Sequence, residues 1–419
     1  MSEPKRTSLS VQRERAVLVK LIMRRDDAEA LDPLAELRSL ASAAGANVVD
    51  TLTQKLRRPV PRTYIGRGKV EELVERVEAS EANLIVFDGD LSPGQIRALE
   101  QSVNCKILDR SELILDIFAA RARTHEAKLQ VELAQLQYTA PRLRGMWTHL
   151  ERIAGAGGGT SAGNVGGIGT RGPGERQIEI DRRIVRNRVA VLRREITEID
   201  QRKRRTVRSR EDQFKVSLVG YTNSGKSTLM NTLASVDQYT ADKLFATLDT
   251  KTVRWKLDQF ATVLLSDTVG FVRDLPHRLV ASFRATLEEV LHADLLLHVV
   301  DASSPDALRQ VIAVDEVLHE LGCTDVTIIG VLNKMDVAED DAGALILEAR
   351  MAETYRVSAM TGAGLDRLIE SVHKAATSGT ARVTLRFPLS DGRLSAAIDR
   401  EANVLARRYD EDAVEMARN

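Results

Sequence analysis

The octapeptide "GYTNSGKS", Gly220 to Ser227, spaces two glycines, a lysine and a serine as a phosphate cradle needs them. It fits G-x-x-x-x-G-K-[ST]. It follows the apolar run "KVSLV" and leads into "STLMNTLAS", the strand–loop–helix setting the motif requires. Glycine lets backbone N–H groups turn inward around phosphate oxygens, and a helix N-terminus adds partial positive charge. The expected contacts run through Gly220, Tyr221, Thr222, Asn223, Ser224, Gly225, Lys226, Ser227 and Thr228. Lys226 is spaced to reach the β- and γ-phosphates of a nucleoside triphosphate, and the Ser227 hydroxyl to bind Mg2+.

Later segments choose the base. "DTVG", Asp267 to Gly270, ends an apolar strand. The Asp267 carboxylate suits an indirect Mg2+ contact, and the Gly270 N–H suits the γ-phosphate, so this loop would sense hydrolysis. In "NKMD" (Asn333, Lys334, Met335, Asp336), the Asp336 carboxylate can accept two hydrogen bonds from guanine N1–H and its N2 amine. Adenine lacks that donor pair, and a site built for paired bonds rejects the base that leaves its acceptors empty. "SAM", with Ser358 and Ala359, is placed to offer an N–H to guanine O6. These four motifs in this order predict GTP as substrate, cleaved to GDP and phosphate.

Thr240, Thr247, Thr250 and Thr252 lie between the first two motifs. Thr247 in "LFATLD" is best placed to put its hydroxyl on Mg2+ and its N–H on the γ-phosphate, with Phe245 beside it at the nucleotide. The expected catalytic set is Lys226, Thr247 and Gly270, and the expected metal set is Ser227, Thr247 and Asp267. Phe271 stands where Ras-like GTPases carry a water-orienting Gln. Slow intrinsic hydrolysis is therefore expected, stimulated by a partner. Asn223 keeps two readings open: a cap for its own loop, or a ligand of a monovalent cation such as K+, as in similar GTPases.

An α/β framework must position these groups. Residues 1–110 alternate strands ("AVLVKLIM", "NVVDTL", "NLIVFDG", "CKILD") with helices, the first of which has Asp32 as N-cap, Pro33 at its first position and Gly45 beyond its end. In this stretch "GRGKVEEL" reads as a turn before a helix, with Gly66 and Gly68, and not as a second phosphate loop. Residues 111–210 read as an antiparallel helical hairpin with a glycine-rich tip at 141–175. Its first arm is a single long helix from Ser111 to about Thr139. Its second carries a narrow apolar seam of Val185, Val189, Leu192, Ile196 and Ile199. Residues 213–379 read as a P-loop domain with five strands and a mostly parallel sheet. Residues 380–419 read as a small α+β tail with one strand, a helix and room for a second strand. The composition, with 4% aromatic residues, is ordinarily globular, and the net charge of zero predicts no nucleic-acid or membrane partner by itself. Cys105 and Cys323 form neither a disulfide framework nor a metal spacing, which suits a reducing cytoplasm. The chain lacks an apolar run of the roughly 18 residues that a membrane span needs, so no membrane partner is expected.

The motifs "GYTNSGKST", "LFATLD", "DTVGFVRDLPH" and "NKMD" come together with "YIGRGKVEEL", "RTHEAKLQVELAQLQY" and "GGIGTRGPGERQIEIDRR". In this the chain resembles the HflX family of GTPases over about residues 14–378. The resemblance implies a GTPase that binds the large ribosomal subunit and its rRNA and helps split stalled or idle ribosomes, a monomer when off the ribosome. Arg176 stands where the family has Thr in "GPGETQ", and Thr250 replaces the proline of "TLDPT". Neither change touches Lys226, Asp267 or Asp336.

From Gly155 to Gly174 half of the residues are glycine. Such a loop has no core to bury and is expected to be mobile. From Arg176 to Arg210 thirteen Arg or Lys face five Asp or Glu, a surplus of eight. A linker followed by a solvated face would look the same by composition. With the resemblance, the hairpin reads as an RNA contact, its tip near the catalytic centre of the large subunit, with Arg182, Arg183, Arg186, Arg193 and Arg194 on phosphates. The rival class is an RNA-modifying or RNA-remodelling protein regulated by its G domain. No cofactor fingerprint in residues 1–210 supports it.

Overall fold

The computed structural model describes residues 14–23, 32–142, 183–199, 213–235, 250–258, 261–273, 288–323, 326–338, 341–378, 383–388, 390–401, 404–410 and 413–418. The expectations for Phe245, Thr247, Thr240, Arg176, Arg182 and the tip loop beyond Arg142 lie outside these residues. The described residues fall into two compact units, one up to residue 199 and one from residue 213 onward.

The first unit holds a parallel sheet of β1 (Arg15–Ile22), β2 (Asn47–Lys55), β3 (Leu84–Phe87) and β4 (Lys106–Asp109) in the order β2-β1-β3-β4. Between the strands run α1 (Ala35–Ala43), α2 (Arg67–Ser80) and α3 (Pro93–Val103). Val17, Val19 and Leu21 pack with Leu73 and Val77 of α2 and Ile96 and Leu99 of α3. Ala16 and Leu18, which alternate to the opposite face, are equally buried. Covering both faces explains why β1 reads as an unbroken apolar run. Helix α1 starts two residues later than Pro33, because Pro33 and Leu34 form a turn. Asp32 is therefore not its N-cap, although its carboxylate accepts the Leu34 N–H at 2.9 Å. Gly45, just past the helix, has φ +89. Gly66 caps α2 with extended backbone.

The long helix expected over 111–139 is two. Helix α4 (Arg110–Arg121) stops where Ala122 leaves helical geometry. Helix α5 (His125–Thr139) restarts with Thr124 as N-cap, its hydroxyl accepting the Ala127 N–H at 3.1 Å. A third helix, α6, spans 183–199. Four of the five expected seam residues pack together: Leu192 is fully buried against Leu129 and Leu133, with Val189, Ile196 and Ile199 alongside, whereas Val185 lies outside this cluster. Arg188 forks onto Glu132 with both bonds at 2.7 Å. Gln137 near the end of α5 and Ala140 just beyond it flank Val185 and Arg186, early in α6, whereas Glu132, earlier in α5, meets Arg188, so the two helices run antiparallel.

The second unit contains a six-stranded sheet in the order β10-β9-β8-β5-β7-β6. Its strands are β5 (Lys215–Val219), β6 (Lys251–Lys256), β7 (Thr262–Asp267), β8 (Leu295–Asp301), β9 (Thr327–Asn333) and β10 (Thr354–Arg356). Only β6 is antiparallel, pairing with β7 at the edge. It is one strand more than expected. The segment "KTVRWK" carries just two apolar side chains among cations, and the buried Trp255 anchors it. Among the described residues this domain also has helices α7 (Lys226–Ala234), α8 (Glu288–Leu291), α9 (Ala307–Leu321), α10 (Asp341–Arg350) and α11 (Leu365–Thr377). The tail forms a separate antiparallel sheet of β11 (Val383–Pro388), β12 (Val404–Tyr409) and β13 (Ala413–Arg418), with α12 (Gly392–Glu401) supplying Ile398 to its small core. It thus has two strands after its helix, and β11 pairs with the last of them.

Candidate functional site

Parallel pairing of β5 with β7 and β8, and of β8 with β9, brings their carboxyl ends to one edge. That edge is where open α/β sheets bind ligands. Each expected motif leaves a strand there: Gly220 after β5, Asp267 at the end of β7, Asn333 at the end of β9 and Ser358 after β10.

Two glycines make the loop possible. Gly220 has φ +148, and a Cβ on it would lie 2.2 Å from the Val299 carbonyl oxygen of β8. Gly225 has φ +93, and a Cβ there would lie 2.2 Å from Asn333 Nδ2. Asn223 also takes left-handed geometry, φ 64, which Asn tolerates better than most residues, and its side chain is exposed. Lys226 opens α7 and is 6% exposed. Its ammonium donates to the carbonyls of Gly220 at 3.1 Å and Tyr221 at 2.7 Å. Burial draws it down to about 8, against the pull of the Asp267 carboxylate.

Ser227 donates its hydroxyl to Asp267 Oδ2 at 2.6 Å, and Asp267 is fully buried. Thr228 follows within the first turn of α7, half-buried. The next segment is zipped onto the P-loop. The Thr222 N–H donates to the Phe271 carbonyl at 2.8 Å, and the Phe271 N–H to the Gly220 carbonyl at 3.0 Å. The Tyr221 hydroxyl accepts the Arg273 N–H at 2.8 Å. Gly270 comes so near that a Cβ would stand 3.0 Å from Lys226 Nζ. The Phe271 ring is 2% exposed, so this side chain is part of the core.

Asn333 acts as a brace. Its Nδ2 donates to the Ser224 carbonyl at 2.9 Å and its Oδ1 accepts the Ala359 N–H at 2.9 Å. One buried amide therefore ties the P-loop to the Ser358 turn. The Ser358 N–H bonds the Ala363 carbonyl, and the Thr232 hydroxyl donates to the Ala359 carbonyl at 2.7 Å. Lys334, with φ 64, pairs with Asp301 Oδ2 at 2.6 Å. Asp336 is exposed. Sequence reasoning missed Thr232, Asp301 and His298. None belongs to a motif: Thr232 lies on α7, and His298 and Asp301 on β8. His298 on β8 is 1% exposed; burial and the charge of Lys226 draw its imidazole down to about 4.

The first unit also collects charge at its strand ends. Asp88, after β3, binds Lys20 and Arg110, each at 2.6 Å, and Arg110 also reaches Glu36 at 2.7 Å. Burial pushes the Asp88 carboxyl up, but Arg110 and Lys20 outweigh it and hold it below the usual range. Asp109 takes the Arg142 guanidinium at 2.7 Å, the Leu91 and Glu112 N–H groups and the Tyr138 hydroxyl. Arg142 lies 3.7 Å over the Tyr138 ring. Beside them burial and the Asp109 charge push Glu112 up to about 7, against the pull of Arg142. Among the described residues no helix is long and apolar enough to cross a membrane.

Three family models match in series: a GTP-binding GTPase N-terminal region over 32–119, a GTP-binding GTPase middle region over 121–210, and a 50S ribosome-binding GTPase over 215–334. The GTPase HflX of Caldanaerobacter subterraneus subsp. tengcongensis is 42% identical over 408 residues, covering 97% of this chain and 91% of that protein. The GTPase HflX of Escherichia coli is 43% identical over 384 residues, covering 91% and 87%. A solved structure, SsGBP with GDP, matches 87% of this chain and 99% of its own at 23% identity and a TM-score of 0.47. With relatives this similar along nearly its whole length, and with the P-loop, "DTVG" and "NKMD" gathered at one sheet edge, the chain belongs to the HflX family of GTPases.

Proposed function

We propose that the chain hydrolyses GTP at this edge and uses the cycle to act on the large ribosomal subunit, splitting or rescuing stalled or idle ribosomes. The observation that carries the reading is the gathering of Lys226, Asp267, Gly270 and the open Asp336 carboxylate around one braced loop. Asp336 would accept guanine N1–H and its N2 amine, with the Ser358–Ala359 turn near O6. The N–H groups from Tyr221 to Thr228 would hold the phosphates, and Lys226 would trade its two carbonyl partners for phosphate oxygens. Phe245 and Thr247 complete the expected contacts from a segment outside the described residues.

The Ser227 hydroxyl and Asp267 carboxylate are hard oxygen donors 2.6 Å apart, which fits Mg2+. They would hold it with Thr247, and the ion would neutralise charge on the phosphates. Release of the Thr222 and Phe271 backbone pairs would free the Gly270 loop to answer the γ-phosphate. A buried Phe271 orients no water, so groups from the ribosome would complete the site. Asn223 would hold K+ or stabilise its own left-handed turn; turnover in KCl above that in NaCl supports the cation role, and equal rates remove it.

The test is the GTPase rate with and without purified large subunits, together with cosedimentation in GDP or a non-hydrolysable GTP analogue. Stimulation and analogue-dependent sedimentation are expected. No sedimentation with either nucleotide would overturn the ribosomal reading.

A further inference from the structure

The hairpin carries a groove that no motif accounts for. It lies between α5 and α6, has a volume of about 530 Å3, and is walled by Gln137, Ala140, Val185, Arg186, Val189 and Arg193, with Ala190 at its side. Small side chains make the hollow. At Ala140 and Ala190 a leucine would fill what the methyl groups leave open. Val185 and Val189 turn one edge of the seam toward the groove, since Leu192 on the same helix is already fully buried against α5.

Among the described residues the two arginines of the groove are not spent on partners. Arg188, between the two groove arginines, is committed to Glu132. The Arg186 and Arg193 side chains are exposed and have neither ion pair nor hydrogen bond among the described residues. They stand seven residues apart on one face of α6, about 10 Å along its axis. Each guanidinium can fork onto phosphate oxygens. Between them lies an apolar floor that offers nothing to a second charge and suits a flat, unpaired base. Duplex RNA buries its bases in the stack, so a base available to such a floor comes from a single strand, a bulge or a loop.

We propose that this groove holds one unstacked RNA base, with Arg186 and Arg193 on phosphates of the same strand. The inference rests on the ribosomal reading only for its source of RNA; the groove is argued from α5 and α6.

The test uses the full chain and fluorescence anisotropy over a range of salt, with a labelled single-stranded hexa-adenylate RNA. A hexamer without bases and a labelled acidic peptide serve as the other probes. Replacing both arginines (Arg186→Gln with Arg193→Gln) is expected to weaken hexa-adenylate binding about tenfold and to flatten the salt slope by about 1.4. Ala190→Ile narrows the groove without offering a stacking face. It is expected to erase the preference for the strand with bases and to leave the salt slope as it was. Circular dichroism confirms that each variant keeps its helices. The proposal fails if folded variants bind the hexamer as the parent does, or if the parent prefers the acidic peptide. Sedimentation with large subunits separates the two readings. A parent that sediments while groove variants bind RNA unchanged refutes the groove alone. A parent that binds the hexamer through the groove without sedimenting refutes the ribosomal reading alone.

Discussion

Both units gather polar groups at the carboxyl ends of parallel strands, yet they treat those groups in opposite ways. In the first, Asp88 and Asp109 are closed off by Lys20, Arg110 and Arg142, and backbone N–H groups take most of what is left. In the second, Lys226 is buried with only two carbonyls for company, Asp336 faces solvent, and the loop is lined by glycines that neighbouring strands crowd. A charge cluster with its partners built in holds a fold together; a cradle whose cation is held by carbonyls, with no carboxylate hydrogen-bonded to it, is shaped for an anion that arrives. The second is costly to keep, and the cost shows in the Lys226 ammonium drawn down to about 8.

Breaking the closed cluster should do most damage. Arg142→Met leaves the Asp109 carboxylate buried without its cation, and unfolding in urea should show a loss of about 3 to 5 kcal/mol, with GTP affinity unchanged. A variant as stable as the parent would remove the contrast. The buried His298 tests the second unit. Its folded value near 4 lies below the unfolded 6.5, so the unfolded chain binds the extra proton first and stability falls as pH drops from 6.5 to 4. His298→Leu should spare up to about 3 kcal/mol of that fall, read from urea midpoints at the two pH values.

Asp336→Asn sharpens the comparison by leaving the fold alone. An amide nitrogen would face the guanine donors, and calorimetry should find GTP bound about 100-fold more weakly, with stability unchanged. The smallest effect concerns Lys226. Phosphate should raise its affinity for a proton, so binding takes one up once the free site has lost it. GTP affinity should therefore weaken above pH 8, by about tenfold per unit at most, and a flat profile to pH 9.5 would count against an ammonium drawn down by burial.

The nucleotide motifs were legible because each is contiguous and obeys a local demand: glycine where φ is positive, a lysine at a helix start, a carboxylate at a strand end. The seam of α6 was legible for the same reason, as a spacing of apolar residues. Strand β6 was not, since an edge strand among cations keeps only Val253 and Trp255 to declare it. Nor was the break at Ala122, where the apolar pattern carries through and only Thr124 marks the new start. The Asp109 cluster had no linear trace at all, because its members come from β4, α4, α5 and the turn at Arg142.

By itself the sequence determined which groups are present: a phosphate loop, the "NKMD" carboxylate, a basic arm. Tertiary structure alone decided how these parts bear on one another. It made Asn333 a brace and not a free contact, put Phe271 in the core, and left the Arg186 and Arg193 side chains beside a hollow without partners among the described residues. The reason is range. Backbone conformation and helix starts are set by a few neighbouring residues, whereas the pairing of a buried polar group depends on which distant strand the fold lays beside it.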